Sequence, residues 1–139
     1  MRKAIDILID TSASMGQPFE DDPSQIAKYK AVLSYVKDTL PKVCGDNVRV
    51  GLCTFGSRLF GTERDGTMVE RLLEIEECSE SSLTEKFAEI PSRLPYPAGT
   101  PLADALLTSI YKLREHEAEY RAILVFSDGK DNALSLIHI

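Results

Sequence analysis

Apolar positions recur along this chain with two different periods, and their alternation points to an architecture. Ala4-Ile5-Asp6-Ile7-Leu8-Ile9 is a short, β-branched run that reads as a buried strand over residues 4–9. A loop carries Thr11 to Asp21. Asp22-Pro23-Ser24-Gln25 then reads as a helix start, with Asp22 as N-cap, Pro23 at the first helical position and Gln25 closing a capping box. Ile26, Tyr29, Leu33, Val36 and Leu40 follow at spacings of three and four. They predict a helix over 23–40 with one core face and Pro41 just past its end. Val48 to Phe55 alternates and predicts a second strand.

From Gly56 to Glu76 the chain is punctuated by turn signals at Gly61 and Asp65-Gly66, which suits a short antiparallel edge strand with its connections. Ser82-Leu83-Thr84-Glu85 is another capping box, opening a short helix with Leu83, Phe87 and Ile90 inward. Pro91, Pro95 and Pro97 stiffen the segment that leads to Ala98-Gly99-Thr100. Pro101 opens a further helix with Leu102, Leu106, Ile110 and Leu113 on one face, and residues 121–127 form the next parallel strand. Strands alternating with helices imply an α/β fold: a Rossmann-like parallel sheet with one antiparallel edge strand and helices on both faces.

Composition narrows the function classes. At 139 residues, 43% hydrophobic and 27% charged, the chain is one globular domain. Its net charge of −6, with no basic stripe, argues against a phosphate-backbone partner, so no nucleic acid is expected. No apolar run is long enough to span a membrane, and no signal segment precedes the first strand. Cys44, Cys53 and Cys78 are odd in number and unpaired in spacing. They read as free thiols of a cytoplasmic protein, with Cys53 in the core.

Candidate chemistry lies at two strand ends. Ile7-Leu8-Ile9-Asp10-Thr11-Ser12-Ala13-Ser14 and Ile123-Leu124-Val125-Phe126-Ser127-Asp128-Gly129 are both apolar runs that stop at an aspartate among small residues. Side chains at the carboxyl ends of parallel strands open into one crevice, so Asp10 and Asp128 would share a mouth, with Ser12 and Ser14 just beyond. Hard oxygens without sulfur or imidazole favour a hard divalent cation.

Taken singly, these residues have plainer readings. Asp10 can close an Asx-turn, Thr100 before Pro101 is a good N-cap, and Asp104 complements a helix N-terminus. Glu20-Asp21-Asp22 suits a solvated first turn. Asp131 and Asn132 suit turns, and His116 and His138 lie outside any cluster. The plain readings do not predict five oxygen side chains together on three loops.

That set is a D-x-S-x-S string, a loop threonine and a strand-end aspartate: Asp10, Ser12, Ser14, Thr100 and Asp128. It resembles the von Willebrand factor A (vWA) domain family with its metal-ion-dependent adhesion site. The resemblance covers Ile5 to Asn132, and Ala98 to Leu106 and Phe126 to Gly129 are similar to the family's second and third metal loops. It implies that these five residues hold Mg²⁺, or Mn²⁺ in its place, through hydroxyls and through aspartates that ligate directly or by way of water. One exchangeable water would give way to an Asp or Glu of a partner protein. Relatives work beside AAA-type ATPases of the MoxR or chelatase kind.

Enzyme readings lack their residues. There is no phosphate-binding glycine loop, no G-x-S-x-G elbow, and no histidine placed to activate a serine. The nearest rival is a haloacid-dehalogenase-like Mg²⁺ phosphatase with Asp10 as nucleophile. That family wants a second aspartate where this chain has Ser12, and Lys130 is misplaced for its lysine. A scaffold with an empty metal site is a third reading.

The resemblance also implies two further strands with their helices after Asp128, where only eleven residues follow. A domain over 1–132, incomplete at its C-terminus, and a non-native or disordered tail over 133–139 are therefore expected. The strand over 121–127 would then have an open edge.

Overall fold

Three parallel strands form the centre of the sheet, and β1 is the middle one. β1 spans Lys3–Asp10, β2 spans Val48–Phe55, and β4 spans Tyr120–Phe126. In register, Ile7 faces Leu52 on one side and Leu124 on the other. β3, Val69–Glu77, pairs antiparallel on the far side of β2, as the edge strand expected after Gly56. The computed structural model describes residues 1–21, 23–56, 69–77, 79, 81, 85, 102–128 and 136–138. The short helix expected from Ser82 and the loop to Pro101, Thr100 included, lie outside these residues.

The sheet order is β3-β2-β1-β4-β5, where β5 is Leu136–His138. β5 was not expected. It pairs antiparallel with β4, Ile123 opposite Ile137, so the edge expected to stand open carries a short strand. Unsatisfied strand-edge N–H and C=O groups are the physical reason such pairing is favourable. The sheet therefore has an antiparallel strand at each edge rather than at one.

Among the described residues, two α-helices cover the two faces. α1, Lys28–Val43, packs Val36 and Leu40 against Ile7, Ile9, Val50 and Leu52. α2, Leu102–Arg114, buries Leu102, Ala105, Ser109 and Leu113 on the opposite face, in a core shared with Ala4, Leu8, Cys53 and Phe55. Alternate residues of β1 thus serve alternate faces. The crossover from β1 to β2 moves to one side of β1, and the connection from β3 to β4 returns past it to the other side. With right-handed crossovers, the helices land on opposite faces and a crevice opens at the carboxyl end of β1.

Two local expectations fail for identifiable reasons. α1 begins at Lys28, not residue 23: Gln25 has φ of 56°, outside the right-handed helical region, and Lys28 N–H donates to Gln17 O at 2.9 Å. Ile26 consequently stays half exposed instead of joining the core. At the other end the helix runs through Pro41 to Val43, closed by Cys44 N–H on Leu40 O.

The cysteines divide. Cys53 is a free, buried thiol, but Cys44 is disulfide-bonded, against the expectation of three free thiols. The spacing rule that left them unpaired cannot see a bond closed by tertiary structure.

A buried polar cluster lies on the α2 face. Asp6 is wholly buried and takes both Arg71 Nη1 at 2.6 Å and Nη2 at 2.9 Å, while Ser109 Oγ donates to it at 2.6 Å. It ties β1, β3 and α2 together. Gly51 leaves the room: a Cβ there would come within 2.7 Å of Asp6 Oδ1 and 2.6 Å of Ile75.

Removing one partner of a buried ion pair leaves the other charge uncompensated. Asp6→Ala should therefore lower unfolding free energy by roughly 3–5 kcal/mol in urea titrations. The double variant Asp6→Leu with Arg71→Met should cost much less, and an equal loss in both would contradict the pairing. Burial also pushes the Cys53 thiol up to about 12, with Asp6 adding to it and Arg71 opposing. Above pH 9 the unfolded chain loses this proton while the folded chain keeps it, so stability falls as pH rises towards 12. Cys53→Ala should flatten that part of the stability–pH curve measured by denaturant titration.

Candidate functional site

Asp10 ends β1 at the crevice and is 1% exposed. A buried carboxylate needs donors, and both its oxygens have them. Ser12 N–H donates to Oδ1 at 2.8 Å, an Asx-turn that reverses the chain just past the strand. Ser127 Oγ donates to Oδ2 at 2.8 Å, from the first residue beyond β4. The plain reading of Asp10 as a turn-closing residue is therefore correct as far as it goes. It coexists with a second bond that reaches 117 residues along the chain.

The Asx-turn feeds a single 3-10 turn, Ala13–Gly16, in which Met15 N–H bonds Ser12 O at 3.0 Å. Met15 is buried beneath it. The turn holds the two serines side by side, Oγ to Oγ 3.4 Å, with Ser12 5% exposed and Ser14 partly exposed. Thr11 anchors the same loop to β2: its N–H and its Oγ both donate to Phe55 O, at 2.7 and 3.1 Å. Gly56 follows with φ of 106° and lies so close that a Cβ would sit 2.7 Å from Ser12 N.

Asp128, two residues past β4, is paired with Lys28, the first residue of α1. Nζ is 3.4 Å from Oδ2, and the two side chains are 14% and 4% exposed. The same ammonium lies 5.8 Å from the centre of the Phe19 ring. Neither Lys28 nor Ser127 was a candidate from the sequence. Ser127 lay within the quoted strand-end string, and its small polar side chain after an apolar strand was the available signal. For Lys28 there was none, because the misplaced helix start hid it.

Of the five residues singled out, Asp10, Ser12 and Ser14 stand together, and Asp128 adjoins them through Ser127. Thr100 and its loop lie outside the described residues. Among the described residues no three His, Cys, Asp or Glu side chains gather in one place, so a cation here would rely on hydroxyls as well as two carboxylates. That donor set fits Mg²⁺ or Mn²⁺. All donors are hard oxygens, and adjacent oxygens of an octahedral Mg²⁺ shell lie about 3.0 Å apart, close to the serine separation. Asp10, Ser12, Ser14 and Asp128 would hold the ion, which would supply a Lewis-acidic, exchangeable position.

A family model described as the von Willebrand factor type A domain matches residues 5–138. No match was found among curated proteins. Among solved structures, the chain is similar to the N-terminal domains of the type V pili tip protein Mfa5 from Porphyromonas gingivalis, with TM-score 0.63 and 22% identity over 92% of this chain and 20% of that one. It is similar to the conserved hypothetical protein BatB from Bacteroides thetaiotaomicron, with TM-score 0.69 and 20% identity over 97% of this chain and 57% of that one. It is also similar to the SpRpn10 VWA domain, with TM-score 0.60 and 16% identity over 96% of this chain and 62% of that one. At these identities the likeness is one of fold. The chain spans less than two thirds of each of those chains.

Gly56 tests the packing of the site loop. Gly56→Ala should cost about 1–3 kcal/mol, from a positive φ and contact with Ser12 backbone. Gly45→Ala, with open space around it, should stay within about 0.5 kcal/mol in the same chemical denaturation series.

Proposed function

The chain belongs to the von Willebrand factor type A domain family, and from that premise we propose that it is a metal-ion-dependent protein-binding module. Domains of this family are typically protein-interaction modules and generally non-catalytic. The single observation that supports the metal reading is the pairing of Asp10, buried at the end of the central strand, with two serine hydroxyls held 3.4 Å apart. Mg²⁺ or Mn²⁺ bound by Asp10, Ser12, Ser14, Thr100 and Asp128 would keep an exchangeable water. An Asp or Glu of a partner protein would replace it. An assembly with an AAA-type ATPase is one setting in which such a partner would be met.

Among the described residues no helix is long and apolar enough to cross a membrane. The acidic balance gives no support to a nucleic-acid partner.

Ligation stabilises the folded state by mass action. Mg²⁺ at ten times its dissociation constant should add about 1.4 kcal/mol, near 5 °C in melting temperature for a domain of this size. Ser14→Ala, at a partly exposed position, should fold normally and lose most of that shift. No shift in the wild type at millimolar Mg²⁺ or Mn²⁺ would favour a scaffold that binds no metal. Steady release of phosphate from an aryl phosphate, abolished by Asp10→Asn, would instead establish the phosphatase.

A further inference from the structure

Asp128 is answered by a cation that belongs to the chain itself. The Lys28 ammonium is held 3.4 Å from its Oδ2, and both side chains are largely shielded from water. A tethered ammonium takes up one carboxylate oxygen that a divalent ion would use. An ion shared between Asp10 and Asp128 would also stand within a few ångströms of Nζ, where like charges in a water-poor site repel strongly. The half-exposed Phe19 ring lies 5.8 Å from Nζ in this same position and helps to seat the ammonium, while the long, flexible lysine stem lets it swing off Asp128.

We propose that Lys28 is a built-in competitor of the divalent cation at Asp128, so that the ammonium must leave before the metal binds and its hold sets the metal concentration at which the site fills. The inference rests on the metal-binding reading above and adds a residue that tunes it. It makes metal loading conditional: the site would fill only where divalent ion is plentiful, or where a partner carboxylate binds with the metal and helps to offset the repulsion. Lys28 is a tuning residue, since it ligates nothing.

The test is Mn²⁺ binding by the whole chain, read from the electron paramagnetic resonance signal of free Mn²⁺ and requiring no partner. Lys28→Met should bind Mn²⁺ about tenfold more tightly than the wild type. Lys28→Arg, which keeps the charge, should stay within about twofold of it. Lys28→Gln replaces the Met variant should that fail to fold. Wild type binding Mn²⁺ with the uncharged variants no tighter would overturn the competitor and leave the metal site standing. No binding by any of these proteins would overturn both.

Discussion

The Asp10 carboxylate is the constraint around which this molecule is arranged. It is buried at the end of the middle strand, where an unanswered charge would be costly. Its two oxygens are answered by two different loops, through Ser12 N–H and Ser127 Oγ. Satisfying one side chain therefore fixes the turn that carries both serines and the exit of β4, and the latter sets where Asp128 begins. Thr11 and Gly56 add β2 to the same junction. The electrostatic need of a single residue thus becomes the geometry of the site.

A second buried carboxylate, Asp6, lies four residues earlier on the same face of β1, yet its chemistry is different. Arg71 and Ser109 saturate it from the edge strand and from α2. It behaves as a structural clamp, whereas the site at the strand end joins Asp10 to neutral hydroxyls on two loops. The same residue type thus clamps three elements in one place and joins two loops in the other, because one sits mid-sheet and the other at the crevice formed by diverging crossovers.

How much of this was legible in the sequence depended on the range of the interaction. The strands over 4–9 and 121–127 were legible because buried parallel strands leave near-continuous apolar runs, the strand over 48–55 because its positions alternate, and the edge strand after Gly56 because turn residues frame it. The start of α1 was misread because Asp22-Pro23-Ser24-Gln25 meets every local rule for a capping box. A left-handed Gln25 and the bridge from Pro18 to Ala27 overrode those rules. Lys28 with Asp128, Ser127 with Asp10, Arg71 with Asp6, and the bond at Cys44 join residues far apart in the chain, and no periodicity encodes them. That Asp10, Ser12 and Ser14 lie together was legible because the D-x-S-x-S string is local, and Thr100 lies outside the described residues.

The central claim is that the strand-end oxygens hold a divalent cation, and the most direct measurement is the anomalous difference density of crystals grown with Mn²⁺. The account predicts one strong peak within coordination distance of Ser12 Oγ and Ser14 Oγ, and of Asp10 and Asp128 directly or through a bridging water. A structure with Mn²⁺ bound elsewhere, or with Lys28 still on Asp128 and no peak beside the serines, would contradict it.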